Sequence, residues 1–129
     1  MQRFTVPGEG GAMAGLNFGR TEGPIDLVFL HANGFCAHTY RQLLEPLGPD
    51  LRVIALDQRG HGLSTLPARP AALTTWNTYA RDTGAPLRKL CAGLPPLRLI
   101  AGHSMGSVVS MLALRMDPSL ARALLMVDP

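Results

Sequence analysis

The run Leu99-Ile100-Ala101-Gly102-His103-Ser104-Met105-Gly106-Ser107 holds the residues best suited to chemistry. Ser104 stands two residues after Gly102 and two before Gly106, between a short apolar run and a helix-like run. A serine hydroxyl is a weak nucleophile until it is held exposed and given a base. The G-x-S-x-G pattern supplies the exposure: a strand turns sharply into a helix, and the serine sits at the apex on strained backbone. Side chains at Gly102 or Gly106 would crowd that turn. The same turn puts the Met105 amide N–H at a helix N-terminus, where donors lack intrahelical partners and the dipole favours negative charge. That amide is half of an oxyanion hole. A serine here would also suit a plain helix N-cap, but a strand before it and a helix after it favour the nucleophile.

An activated serine needs a base, and the base needs an acid to orient it. The histidines are His31, His38, His61 and His103, and all precede or adjoin Ser104. His103 is next to the serine, and neighbours around a sharp turn point in different directions, so it is expected to pack or to line a pocket. His38 opens a helix-like segment. The carboxylates after the serine are Asp117 and Asp128. Asp128 reads as a strand-end residue before Pro129, and Asp57, closing an earlier strand, reads as structural. No histidine follows Ser104.

The elements that must hold Ser104 follow from hydrophobic patterning. "RFTV" and "AMAGLNF" read as a hairpin around the glycine-rich "PGEGG". Residues 25–32, 51–57, 97–102 and 123–128 are short, nearly continuous apolar runs, suited to a parallel sheet buried on both faces. Between them, "HTYRQLLEPLG" carries Tyr40, Leu43, Leu44 and Leu47 at helical spacing. "TWNTYARDTGAPLRKLCAGL" begins as an amphipathic helix, with a break or kink expected near 83–86 from Gly84 and Pro86. "SMGSVVSMLALRM" is apolar almost all round and predicts a buried helix ending at Asp117-Pro118. Regular alternation of strand and helix predicts an α/β fold: a mostly parallel sheet with helices on both faces.

Composition bounds the partners. The 129 residues carry a net charge of +3 with scattered basic residues, which argues against a nucleic-acid surface. No run approaches the ~18 apolar residues of a membrane span, so no membrane partner is expected. Cys36 and Cys91 lie among apolar residues in no metal-like spacing, and the N-terminus "MQRFTVPGEGG" has no apolar signal-peptide core. These features predict a reduced, cytoplasmic protein that binds no metal. The oligomeric state is left open by the sequence.

Two further motifs accompany the serine. "FLHANGF" ends the 25–32 strand, and "ALDQRGHGLS" ends the next one. With "GHSMG", they resemble the α/β-hydrolase fold serine hydrolases in order and spacing, over about residues 3–129. The resemblance implies that Ser104 is the nucleophile and that Asn33 and Met105 donate the oxyanion-hole N–H groups. It implies that Gly34 lets the loop aim its donor, and that His31 braces that loop rather than transferring protons. Arg59, Gly60, His61 and Gly62 would shape a neighbouring loop. Ala32 stands where the family usually has glycine; if that position needs a positive φ, it costs about 1 kcal/mol. The resemblance also implies a strand order of 1-2-4-3-5-6 with the second strand antiparallel. The triad partners would follow the serine in the order acid, then histidine.

The chain thus reads as a single α/β-hydrolase core domain, residues 1–129, cut short after its sixth strand. The 123–128 run is an apolar strand that expects a further neighbour. The expected function of the longer parent is cleavage of an ester, thioester, lactone or amide in a small-molecule substrate, with no cofactor, the chain alone being inactive. Haloalkane dehalogenases, which place Asn after His-Gly, and epoxide hydrolases carry Asp at the elbow, so Ser104 disfavours both. A cofactor-free haloperoxidase and a non-enzymatic binding or interaction scaffold are the alternatives.

Overall fold

The computed structural model describes residues 1–129, apart from the side chain of Ala72. Six strands form one sheet: β1 (Gln2–Gly8), β2 (Gly11–Gly19), β3 (Leu27–Leu30), β4 (Arg52–Leu56), β5 (Leu99–His103) and β6 (Leu124–Val127). Their spatial order is β1-β2-β4-β3-β5-β6. β2 runs antiparallel to β1 and β4, while β4, β3, β5 and β6 pair in parallel. The expected hairpin closes with Gly8 opposite Gly11, and Gly10 takes a positive φ of 78° in the turn. The parallel strands are shorter than the apolar runs that predicted them, because those runs extend into the flanking loops.

The helical segments divide between the two faces. One face buries Phe18, Phe29, Val53 and Ala55 against the 37–47 segment, whose Ala37 and Leu44 are fully buried. The other buries Val28, Leu30, Ile54 and Ile100 against α2 (Asn77–Leu90) and α3 (Met105–Met116). The chain leaves β3 over the first face to reach β4, and leaves β4 over the second face to reach β5. β4 and β5 flank β3, so the crossover direction reverses between β3 and β5. In open α/β sheets the crevice at the carboxyl ends of strands at such a reversal is where ligands bind.

Three local expectations need correction. The segment after β3 is not one amphipathic helix: it runs as a 3₁₀ turn (Ala37–Tyr40), one α turn, α1 (Arg41–Leu44), and a second 3₁₀ turn (Glu45–Leu47). Pro46 has no N–H to continue the α pattern, and three residues per turn rotates the stripe, leaving Leu43 61% exposed. Conversely, α2 runs unbroken through Gly84 and Pro86. Pro86 removes one backbone hydrogen bond, but Ala80, Thr83 and Leu87 lock the buried face, and the Arg59 guanidinium pairs with Asp82 at 2.7 Å. Packing overrides local propensity here. Finally, α3 is buried along one face only; Met111 and Met116 are exposed. Among the described residues no helix is long and apolar enough to cross a membrane.

Candidate active site

Ser104 occupies the turn from β5 to α3, with φ 49° and ψ −115°. Among the described residues one other non-glycine residue has positive φ, Asp128 at the end of β6 with φ 45°. Such backbone costs about 1–3 kcal/mol and persists only where its surroundings over-determine it. The surroundings do so at the elbow. A Cβ at Gly102 would fall 2.1 Å from the Gly106 carbonyl carbon, and one at Gly106 would fall 2.1 Å from the Leu30 carbonyl oxygen. The first contact lets the helix fold back on its own strand. The second lets the helix N-terminus press against the end of β3, beside the 31–34 loop. Ser107, fully buried, donates its hydroxyl proton to the Gly102 carbonyl and accepts the Val127 N–H at 3.1 Å. The Ser104 N–H donates to the Val127 carbonyl at 2.9 Å, tying the elbow to β6. Ser104 takes the N-cap position, yet its side chain makes no cap hydrogen bond.

The loop after β3 is held by side chains from elsewhere. His31 is fully buried; its Nε2 accepts the Gln58 N–H at 2.9 Å, and its Nδ1 donates to the Ala32 carbonyl at 2.7 Å. The Gln58 amide donates back to the His31 carbonyl at 2.7 Å. Burial drives the His31 pKa below its ordinary value, so the ring stays neutral as this bonding needs. On either side of Asn33 a backbone donor is taken. The Ala32 N–H goes to the Tyr40 hydroxyl at 3.1 Å, and the Gly34 N–H goes to His61 Nε2 at 3.1 Å. His61 Nδ1 lies 2.9 Å from the Arg59 carbonyl, which can only accept. Nδ1 therefore carries the proton, and Nε2 is the acceptor that the Gly34 N–H requires. Among the described residues the Asn33 and Met105 N–H groups make no hydrogen bond. The positive φ falls on Gly34, at 79°, and not on Ala32, so alanine at 32 carries no left-handed strain.

The motif after β4 is mainly structural. Both oxygens of Asp57 accept backbone N–H groups, from Ala37 at 2.7 Å and Leu63 at 2.9 Å. A Cβ on Gly62 would collide with that carboxylate. A cavity of about 500 Å³ lies between the hairpin and α2, beside Pro7, Leu66 and Pro86; it touches neither Ser104 nor the 31–34 loop. Among the described residues no group of His, Cys, Asp and Glu is placed to hold a metal ion.

Sequence reasoning missed Tyr40, Gln58 and Ser107 as parts of this construction. Tyr40 read only as one apolar position on a helical stripe, and nothing in its spacing to Ala32 signalled a hydrogen bond. Ser107 directly follows the glycine of the elbow pattern, the one local cue that could have pointed to it.

The chain belongs to the alpha/beta hydrolase family, whose profile matches residues 27–129. It is 32% identical over 106 residues to 2-(acetamidomethylene)succinate hydrolase from Mesorhizobium japonicum, covering 82% of this chain and 36% of that protein. It is 31% identical over 112 residues to protein phosphatase methylesterase 1 from Mus musculus, covering 84% of this chain and 28% of that protein. The solved structure of E-2-(acetamidomethylene)succinate hydrolase superposes with a TM-score of 0.82 at 28% identity, over 99% of this chain and 44% of that one. The chain thus spans about a third of the length of the curated relatives it matches.

Proposed function

We propose that the full-length protein containing this chain is a serine hydrolase that cleaves an ester, thioester, lactone or amide by acyl transfer. The observation that carries the reading is the Ser104 backbone, held at φ 49° with its side chain making no cap hydrogen bond. A serine placed merely to cap α3 would bond the exposed amides of the first turn. Here the strain and the uncommitted hydroxyl serve attack on a carbonyl carbon instead. In the tetrahedral intermediate the oxyanion would accept the Asn33 and Met105 N–H groups, both uncommitted among the described residues. Gly34, Gly102 and Gly106 act by allowing the backbone paths that bring these donors near, and His31 acts by bracing the loop.

In this reading none of His31, His61 and His103 serves as the base. Both ring nitrogens of His31 and of His61 are engaged, and His103 Nδ1 is 2.7 Å from the Tyr40 hydroxyl. Family order places acid and histidine after the serine, so both would come from sequence following this chain. Relatives named for an acetamido compound and for a methyl ester are consistent with carbonyl substrates of the amide or ester type. The substrate is a small molecule in this reading, and no nucleic acid, membrane or cofactor enters the mechanism.

Labelling with a fluorophosphonate tests it. The full-length protein is expected to label quickly, Ser104→Ala not at all, and residues 1–129 alone slowly or not at all. Without its base the serine stays a neutral hydroxyl, and only the residual ~10³–10⁴-fold acceleration of an oxyanion hole and binding remains. An unlabelled full-length protein would overturn the enzyme reading and favour an interaction scaffold.

A further inference from the structure

The two halves of the proposed oxyanion hole sit on different segments, one on the loop after β3 and one at the start of α3. Something must hold them in register, because a donor misplaced by about 1 Å loses much of its effect on the transition state. One side chain touches both. The Tyr40 hydroxyl accepts the Ala32 N–H at 3.1 Å and lies 2.7 Å from His103 Nδ1. Ala32 precedes Asn33, and His103 precedes Ser104. The direction of the second bond follows from counting hydrogens. An amide N–H can only donate, so the Tyr40 oxygen accepts from Ala32, and its single proton is left for His103 Nδ1. A neutral His103 is then protonated at Nε2. The phenol ring is itself fixed, packed 4.6 Å from Phe29 and 6.1 Å from Phe35 between ring centroids.

We propose that Tyr40 is a positioning residue that couples the loop carrying the Asn33 donor to the elbow carrying Ser104 and the Met105 donor. This rests on the acyl-transfer reading above. It assigns His103 a role other than proton transfer to substrate: the ring is the elbow's acceptor for the coupling. Tyr40 touches no reacting atom in this scheme. It acts through two backbone segments, so its loss should affect the transition state more than substrate binding.

The test uses Tyr40→Phe, His103→Leu and the double variant in the full-length protein. Phenylalanine keeps the ring packing and removes only the hydroxyl. The expected result is a kcat about tenfold lower with KM within about twofold, and the same fall in the fluorophosphonate labelling rate. His103→Leu should lower kcat too, and the double variant should be no worse than the poorer single one, because both break one link. In imidazole ¹⁵N spectra, Tyr40→Phe should move the His103 Nδ1 resonance, and the Ala32 amide should exchange faster. An unchanged kcat in Tyr40→Phe, a change in KM alone, or fully multiplicative losses in the double variant would each overturn the proposal. If Tyr40→Phe does not fold, His103→Leu decides: wild-type kcat there overturns it. If Ser104→Ala keeps full activity, the acyl-transfer reading has failed. The coupling is then judged by the Ala32 amide alone, and unchanged exchange in Tyr40→Phe overturns that as well.

Discussion

The elbow and the loop after β3, which carry the two N–H groups of the proposed oxyanion hole, are built in opposite ways. The elbow is made by backbone sterics: Gly102 and Gly106 permit approaches that no side chain could share, and Ser104 carries the strain. Its parts lie within six residues of one another. The loop is made by side chains: His31, Tyr40 and His61 hold it through Gln58, Ala32 and Gly34. Its partners reach across from the next loop and the following helical turn. A steric constraint is all-or-none, whereas a hydrogen-bonded strap can loosen by degrees and admit water. Mutations in the elbow should therefore act on folding, and mutations in the loop more on rate.

The largest expected effect is at the elbow. Gly106→Ala places a methyl 2.1 Å from the Leu30 carbonyl oxygen, a contact that only backbone movement relieves. The expected loss is about 4 kcal/mol, read as a fall in the urea midpoint of the full-length protein, or failure to fold. Gly34→Ala is the paired control. Its added Cβ meets nothing within 4 Å, so only the φ of 79° counts, at about 1 kcal/mol. Equal losses at the two glycines would remove the contrast between the regions.

His31 comes next, as the one strap that is fully buried. His31→Asn shortens the side chain and leaves the Gln58 N–H or the Ala32 carbonyl without its partner, at about 2 kcal/mol. A pH dependence comes with it. Burial lowers the folded-state pKa of His31 below its ordinary 6.5. Below that value the unfolded chain binds the proton more readily than the folded one. The contribution is fully present above about 6.5 and is lost as pH falls toward the folded-state value. Urea midpoints between pH 7.5 and 5 should fall for the wild type, and His31→Asn should lack that part of the slope.

The same division explains what could be read before the structure. The strand order, the hairpin, the parallel pairing and the place of Ser104 were legible because apolar runs, glycines and the elbow pattern are local signals, and the family resemblance ordered them. The straps were not legible. The Tyr40–Ala32 and His61–Gly34 bonds join residues 8 and 27 apart with no periodic signature. Pro86 misled because a rule about isolated helices met a packed face, and the 37–47 stripe misled because Pro46 changed the helical period. The family's usual glycine made a left-handed Ala32 a condition that sequence could not decide; the left-handed residue of the loop is Gly34, the one expected to let it aim its donor.

A smaller effect, of opposite sign, is expected at the nucleophile. Ser104→Gly removes the Cβ from a residue at φ 49° and ψ −115°, and glycine enters that region without the steric cost. The gain is expected to be about 1 kcal/mol in the full-length protein, with labelling and hydrolysis abolished. Ser104→Ala, which keeps the Cβ, should abolish activity without the gain. Equal stability of the two variants would mean the elbow is relaxed.

The smallest change in stability, with a clear change in rate, is expected at His61. The ring accepts the Gly34 N–H at 3.1 Å, but Gly34 is exposed, so water can take over that donor when the ring is removed. His61→Ala should therefore cost about 0.5–1 kcal/mol, less than His31→Asn, because no buried group is left unpaired. Water satisfies the N–H without fixing where it points. The Asn33 donor next to it would sample more orientations, and the oxyanion would find it aligned less often. The expected result is a kcat about tenfold lower with KM little changed, at a urea midpoint close to wild type. A His61→Ala protein with wild-type kcat would mean that Tyr40 alone fixes the loop. One that loses as much stability as His31→Asn would mean that the exposed strap is as rigid as the buried one, and the contrast between sterically built elbow and strapped loop would no longer hold.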